Sequence, residues 1–117
     1  MSKWRGLDNK HFKFEDLGRA AVFLLPADKL PKVEKELHDF LIQYFGTFTY
    51  FPMPSFGAWR NGKRVIVYDE CRLYEVSFAG KKKITLLGEK LAKIALTLGE
   101  ECIYFKAGQY SALIRTK

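Results

Sequence analysis

The sequence predicts an α+β fold in which two successive β-α-β units share one antiparallel sheet and both helices cover the same face. One observation is an internal repeat of apolar positions. When the chain is aligned with itself, Val22 matches Val76 and Leu37 matches Leu91. A second observation is that each half shows the order strand, helix, strand in the spacing of its apolar residues.

The first half begins with a continuous apolar run from Ala20 to Leu25, which has the length of a strand. Asp28 is suited to cap the following helix, and Pro31 is tolerated in a first helical turn. Gly46 predicts a left-handed helix end, and the run from Thr47 to Phe51 predicts the second strand. The helix between them carries one apolar stripe, formed by Val33, Leu37, Phe40, Leu41, Tyr44 and Phe45.

The second half repeats this design. Residues Cys71 to Ala79 predict a strand that ends at Gly80, and Thr85 is the expected helix cap. Gly99 predicts the end of the helix, and Glu101 to Lys106 predict the next strand. The apolar stripe of this helix consists of Leu87, Leu91, Ile94, Ala95 and Leu98. Two similar stripes can be buried together against one sheet face.

Three additions surround the repeat. Asn61-Gly62 predicts an added hairpin with the return strand Val65 to Tyr68, and Tyr110 to Ile114 predicts a last edge strand. Residues 1–18 lack periodicity, so we expect an arm before a single domain of residues 19–117. The predicted order β-α-β-β-α-β is the ferredoxin-like arrangement, which brings the start of the first strand near Ala79 and Lys106.

Composition limits the classes of function. The hydrophobic fraction of 48% suits a folded domain, and no apolar run reaches the length of about 20 residues that spans a bilayer. The polar start of the chain lacks a signal-peptide pattern, so we expect a cytoplasmic protein. Cys71 and Cys102 show no metal-ligand spacing with His11 or His38, and we expect reduced thiols, no metal site and no cofactor. The short chain would also suit a phage or another mobile element.

A set of short patterns resembles a group of small bacterial proteins of unknown function. The patterns are Phe45-Gly46-x-x-Thr49, Gly57-x-Trp59-Arg60, the following Glu70, and Glu101-x-Ile103 before the last core strand. Members of the group typically carry F-G-x-T, G-x-W-R, a Glu and Q-E-x-V, with Gln where this chain has Glu100. The resemblance covers residues 37 to 105 and implies the same fold, without an activity.

Positive charge is the main functional signal. The chain has 20 Lys+Arg against 13 Asp+Glu, a net charge of +7, which favours polyanionic partners. Lys81, Lys82 and Lys83 precede the second helix, and the predicted fold places Arg19, Lys13 and Lys106 at the same end of the sheet as candidate anion-binding residues. The alternative is a solvated basic loop. No glycine-rich phosphate-binding motif is present.

Aromatic residues form the second signal. Tyr50, Phe56 and Trp59, with Arg60 beside them, could stack bases or form an interface, although the motif of single-strand RNA binders is absent. The alternative is that most of these rings belong to the core. We also expect Arg60 to pair with Glu70 across the hairpin, and His38 to be solvated at the edge of its helix stripe.

The sequence therefore favours a non-enzymatic binding module without catalytic residues, recognising a phosphate-bearing partner such as nucleic acid or a nucleotide. The alternative is a homo-oligomeric interaction or inhibitor protein, possible for a phage or mobile element. Strand residues are apolar at both parities, as in Phe48, Tyr50 and Phe51. We therefore expect the second sheet face to be covered in an oligomer of two or more copies.

Overall fold

The computed structural model describes residues 4 and 6–116, and it has the α+β architecture that the sequence predicts. In chain order the elements are β1 (Arg19–Pro26), a 3-10 turn (Leu30–Lys32), α1 (Glu34–Phe45), β2 (Thr49–Arg60), β3 (Ile66–Phe78), α2 (Lys81–Leu98), β4 (Ile103–Ala107) and β5 (Tyr110–Ile114).

The described strands form a five-stranded sheet in the order β2-β3-β1-β4-β5. Each pair of neighbours is antiparallel. Without the edge strand β5 this is the ferredoxin-like order, so the predicted fold class is confirmed. The predicted meeting of strand ends is also present, because Arg19 pairs with Phe78, and Val22 with Lys106.

One core lies between the sheet and the two helices. The predicted stripes face it except at Tyr44, which is exposed. α1 and α2 end at Gly46 and Gly99, whose φ angles of 81° and 70° are left-handed. A residue with a Cβ would be strained at these positions. The side chains without measurable exposure include Phe23, Leu25, Leu37, Leu41, Tyr74, Leu87 and Leu91.

The internal repeat holds for the helices and slips by one residue in the strands. Leu37 and its repeat partner Leu91 are both fully buried under the sheet. Val76 is also buried among the helices, whereas its partner Val22 lies on the opposite face and is half-buried. Successive strand residues point to opposite faces of the sheet. When the loops between strand and helix differ in length in the two halves, an alignment that matches the helices can therefore place the matched strand residues on opposite faces.

The hairpin is not an addition to the sheet. The predicted strands on either side of it merge with their neighbours, so that β2 and β3 run on into the hairpin itself. Their register shifts between Phe51 and Ser55, which marks a bulge in β2. At the tip, the Asn61 side chain accepts the N–H groups of Lys63 and Val65, and the left-handed residue is Arg64, not Gly62.

Both helices begin differently from the prediction. α2 starts at Lys81 after Gly80, so the three lysines lie in its first turn and Thr85 lies within the helix. Before α1 the chain forms the 3-10 turn that contains Pro31, and Asp28 makes no side-chain cap. Neither helix therefore has the side-chain cap that the sequence suggested.

The arm lies before β1. All of its described residues are exposed, and Trp4 stacks on Phe14 with ring centroids 4.9 Å apart. The division into an arm and a domain of residues 19–117 stays an expectation. Among residues 4 and 6–116, no helix is long and apolar enough to cross a membrane.

Candidate functional site

The face of the sheet that carries no helix has a different character from the core face. Strand alternation directs Phe51, Trp59, Tyr104 and Leu113 to this uncovered face, where each exposes between 36% and 52% of its surface. An apolar surface of this kind commonly marks a binding site.

A cavity of about 380 Å³ opens on the uncovered face, and we call it the uncovered-face pocket. This volume lies within the range of small-molecule sites, about 300–1,000 Å³. The end of β1, the hairpin and the strands β4 and β5 each supply part of its lining, and the residues used below are Leu24, Trp59, Asp69, Cys71, Glu100, Cys102, Tyr104, Leu113 and Arg115.

Trp59 and Asp69 fix one wall of the uncovered-face pocket. Asp69 pairs with Gly57 across the hairpin, so Trp59 is its diagonal neighbour on the same face. The indole Nε1–H donates a hydrogen bond of 2.6 Å to Asp69 Oδ2. A hydrogen bond to a charged acceptor is strong, and it holds both the ring and the carboxylate in one orientation.

Glu100 lines the pocket from the connection before β4, and it pairs with Lys29, which follows β1. The Lys29 Nζ lies 2.7 Å from Glu100 Oε2, and this hydrogen bond raises the pKa of Lys29 above its usual value. A Cβ on Gly62 would lie 3.4 Å from Glu101 Oε1. The tip of the hairpin therefore reaches the connection between α2 and β4.

Cys71 and Cys102 lie in the pocket as free, half-buried thiols. Burial raises the pKa of both thiols, and for Cys71 the Asp69 carboxylate adds to this effect. Raised pKa values keep the sulfur protonated at neutral pH, so it serves as a soft apolar wall and not as a nucleophile.

The groups in the pocket suit a flat apolar molecule that also carries charge. Trp59 and Tyr104 offer rings, Asp69 and Glu100 offer carboxylate oxygens, and Arg115 offers a guanidinium group. Within the described ranges, no three His, Cys, Asp or Glu side chains are close enough to hold a metal ion. The pocket therefore favours an organic ligand bound by stacking and charge.

On the helix-covered face, His38 is not a solvated residue as predicted. Its Nε2 lies 2.6 Å from the hydroxyl of Tyr74, which is fully buried. Its ring also contacts Phe48 and Tyr50. Burial raises the pKa of Tyr74 well above the usual range, so its hydroxyl stays protonated and needs this partner.

The predicted ion pair between Arg60 and Glu70 is wrong. The register pairs Glu70 with Phe56 and Arg60 with Ile66, which separates the two along the hairpin. Glu70 Oε1 instead lies 4.0 Å from Nη1 of Arg72, and this buried nitrogen has no hydrogen-bond partner among the described residues.

The structure separates the four predicted stacking or interface residues. Trp59 and Arg60 line the uncovered-face pocket. Tyr50 belongs to the covered face, where its ring lies 5.1 Å from that of Tyr74. Phe56 lies on the hairpin with 79% of its surface exposed. A stacking role for Trp59 and Arg60 stays a prediction.

Of the predicted anion-binding residues, Arg19, Lys81, Lys82 and Lys106 lie near one end of the sheet, whereas Lys83 is directed elsewhere and Lys13 belongs to the arm. Lys83 donates a hydrogen bond to the carbonyl of Tyr44 and lies over the Phe45 ring. Lys81, Lys82, Arg19, Lys106 and Lys13 are exposed. Strand alternation directs Arg19 toward the helix side and Lys106 toward the uncovered face.

Comparison with known proteins gives one informative result. No family model matches the chain, and no curated protein matches it. Among solved structures, the chain is similar to a phage SAM lyase in complex with S-methyl-5'-thioadenosine, with a TM-score of 0.61 and 11% sequence identity. The match covers 92% of this chain and 97% of that chain, and at this identity it establishes the shared fold.

The prediction that the chain is not an enzyme is corrected by this comparison, because the similar structure is that of an enzyme. The prediction depended on the absence of catalytic motifs. A pocket assembled from single residues of several strands and connections leaves no motif in the sequence. Two signals of this face were present in the sequence, apolar strand residues at both parities and Trp59 as a candidate stacking residue.

Proposed function

We propose that the chain is an enzyme of nucleoside chemistry, a lyase that cleaves S-adenosylmethionine to S-methyl-5'-thioadenosine in the uncovered-face pocket. The observation that carries the proposal is the combination of aromatic rings, two carboxylates and an apolar floor in one cavity of about 380 Å³. The structural similarity to a phage lyase bound to this nucleoside is a second, independent support for the proposal.

The parts of the substrate match the groups in the pocket. The adenine ring is flat and stacks on Trp59 or Tyr104. The sulfonium and ammonium groups are positive and are attracted to Asp69 and Glu100, while the substrate carboxylate is attracted to Arg115. Burial beside the apolar side chains strengthens these attractions, because the local dielectric constant is lower than in water.

The partners of the two carboxylates favour a reaction that uses no protein base. Asp69 Oδ2 accepts the Trp59 N–H, and Glu100 Oε2 pairs with Lys29, so one oxygen of each carboxylate is already engaged. In the route that fits, the substrate's own carboxylate attacks the side-chain methylene carbon of its amino-acid part, which is attached to sulfur. A C–O bond forms as the C–S bond breaks, and the electron pair stays on sulfur. The products are the neutral thioether and a lactone that keeps the ammonium charge.

A second copy of the chain is proposed to cover the uncovered face. The support is the exposure of apolar side chains on this face, among them Phe51, which does not line the pocket. A partner would exclude this part of the face from water. We also propose a phage origin, in keeping with the similar phage enzyme. Native mass spectrometry tests the first point, and a monomeric mass would contradict it.

The activity is tested by incubating the protein with S-adenosylmethionine and following products by mass spectrometry. We expect S-methyl-5'-thioadenosine and a lactone whose oxygens come from the substrate, so the first product formed in ¹⁸O-water carries no label. S-adenosylhomocysteine lacks the sulfonium charge and should not react. The proposed lyase activity would be contradicted if no product forms, or if the first product already carries ¹⁸O from water.

Two variants locate the reaction in the uncovered-face pocket. Asp69→Asn and Trp59→Phe each remove the charged hydrogen bond, and we expect kcat/KM to fall at least 10-fold, which corresponds to about 1.4 kcal/mol. Glu89→Gln changes an exposed carboxylate on α2 and is the matched control. Equal activities in all three variants would place the reaction elsewhere.

A further inference from the structure

The proposed activity does not account for the positive charge of the chain. The net charge is +7. S-adenosylmethionine is itself positive overall, because its sulfonium and ammonium groups outnumber its carboxylate. A positive field slows the approach of a positive substrate. The charge therefore indicates a second partner, and that partner is anionic.

Part of this charge is concentrated at one end of the sheet, which we call the basic end and define by Arg19, Lys81, Lys82 and Lys106. Arg19 pairs with Phe78, the last residue of the strand before Lys81, and Lys106 pairs with Val22. These four side chains are exposed. The ion pairs found between described residues all involve other cations.

The basic end borders a cavity of about 580 Å³ between the arm and the start of β1, which we call the arm cavity. Gly18 holds the arm against β3, because a Cβ there would lie 2.0 Å from the carbonyl oxygen of Phe78. Arg19 and Trp4 line the arm cavity, and Trp4 stacks on Phe14 while exposing 43% of its surface. Asp16 also lines it, with one carboxylate oxygen accepting the Gly18 N–H at 2.9 Å.

We propose that the basic end and the arm cavity together bind single-stranded nucleic acid. Successive phosphates contact Arg19, Lys81 and Lys82, and a base enters the arm cavity beside Trp4. Cationic side chains next to an exposed ring are the usual composition of a single-strand site, where rings stack bases and the charges follow the backbone. A duplex keeps its bases stacked and cannot use the ring in this way.

The test is fluorescence anisotropy with a labelled 15-nucleotide single-stranded DNA at low salt, using the full chain. We expect binding that weakens with salt, with a slope of about −2 in log affinity against log salt if three phosphates are contacted. The variant Arg19→Ala, Lys81→Ala, Lys82→Ala should bind at least 10-fold more weakly with a smaller slope. Trp4→Leu should weaken binding about 5-fold or more and leave the slope unchanged.

The matched control removes three exposed lysines from the helix side, as Lys32→Ala, Lys35→Ala, Lys93→Ala. It should retain most of the affinity. The proposal is overturned if the two triple variants lose affinity equally, because net charge alone would then explain binding. It is also overturned if no binding occurs at low salt, if millimolar inorganic phosphate displaces the DNA, or if duplex DNA binds more tightly.

Discussion

The two faces of the sheet are built from the same strands and differ in what their side chains contact. On the covered face Phe23, Tyr74 and Val76 are buried under the helices. On the uncovered face Trp59, Asp69 and Tyr104 border a pocket and keep contact with water. The two faces therefore separate stability from activity. A substitution on the covered face should mainly change the free energy of unfolding, and a substitution on the uncovered face should mainly change the activity of the pocket.

We expect the largest effect when the same Leu→Ala truncation is made on the helix side and on the uncovered face, and the two costs are compared. Leu91→Ala removes a fully buried side chain of α2 and should lower the free energy of unfolding by about 2–5 kcal/mol. Leu113 exposes 52% of its surface, so Leu113→Ala should cost less than about 1 kcal/mol. Urea unfolding of both variants measures the difference, and similar costs would contradict the assignment of the core to one face.

A smaller effect compares two tyrosines. Tyr74→Phe removes the hydroxyl bonded to His38 and should cost about 1 kcal/mol, the usual net value of a buried hydrogen bond. Tyr104 exposes 40% of its surface on the uncovered face, and Tyr104→Phe should change stability by less than about 0.5 kcal/mol. Thermal unfolding should rank the variants in this order. The reverse order would mean that the hydrogen bond between Tyr74 and His38 does not contribute to stability.

The smallest expected effect concerns the two thiols of the pocket. Because burial raises the pKa of Cys71 and Cys102, their stability contribution is present below the pKa of the unfolded thiols and is lost as pH rises through the folded values. Iodoacetamide should therefore alkylate the native protein a few-fold more slowly than the urea-unfolded chain at pH 8. S-methyl-5'-thioadenosine should slow the reaction further. A rate equal to that of the unfolded chain would contradict the burial of the thiols.

The fold could be predicted because its signals are local. The stripe that contains Leu87 and Leu91, and the stop at Gly99, need only the helical period and the conformational freedom of glycine. The start of α2 was missed because tertiary packing outweighed the preference of Thr85 for a cap. The hairpin was predicted as separate strands because a bulge interrupts the alternation near Ser55.

The candidate site could not be predicted in the same way. Trp59 was identified as a possible stacking residue, but its bond to Asp69 depends on the register of β2 against β3. Glu100 and Arg115 come from connections and the end of the chain, where no periodicity applies. His38 was assigned to solvent because its helix position alone cannot show that the hydroxyl of Tyr74 lies beneath it.

Strand β3 serves both faces with alternate residues. Tyr74 and Val76 support the helices, while Asp69 and Cys71 line the pocket three to seven positions away on the same strand. Selection can therefore act on odd-numbered and even-numbered positions of this segment almost independently. A variant library restricted to the odd positions of β3 would change the lining of the pocket, and thus the ligands it accepts, while retaining the core. A single inserted residue would exchange the two sets and disrupt both properties at once.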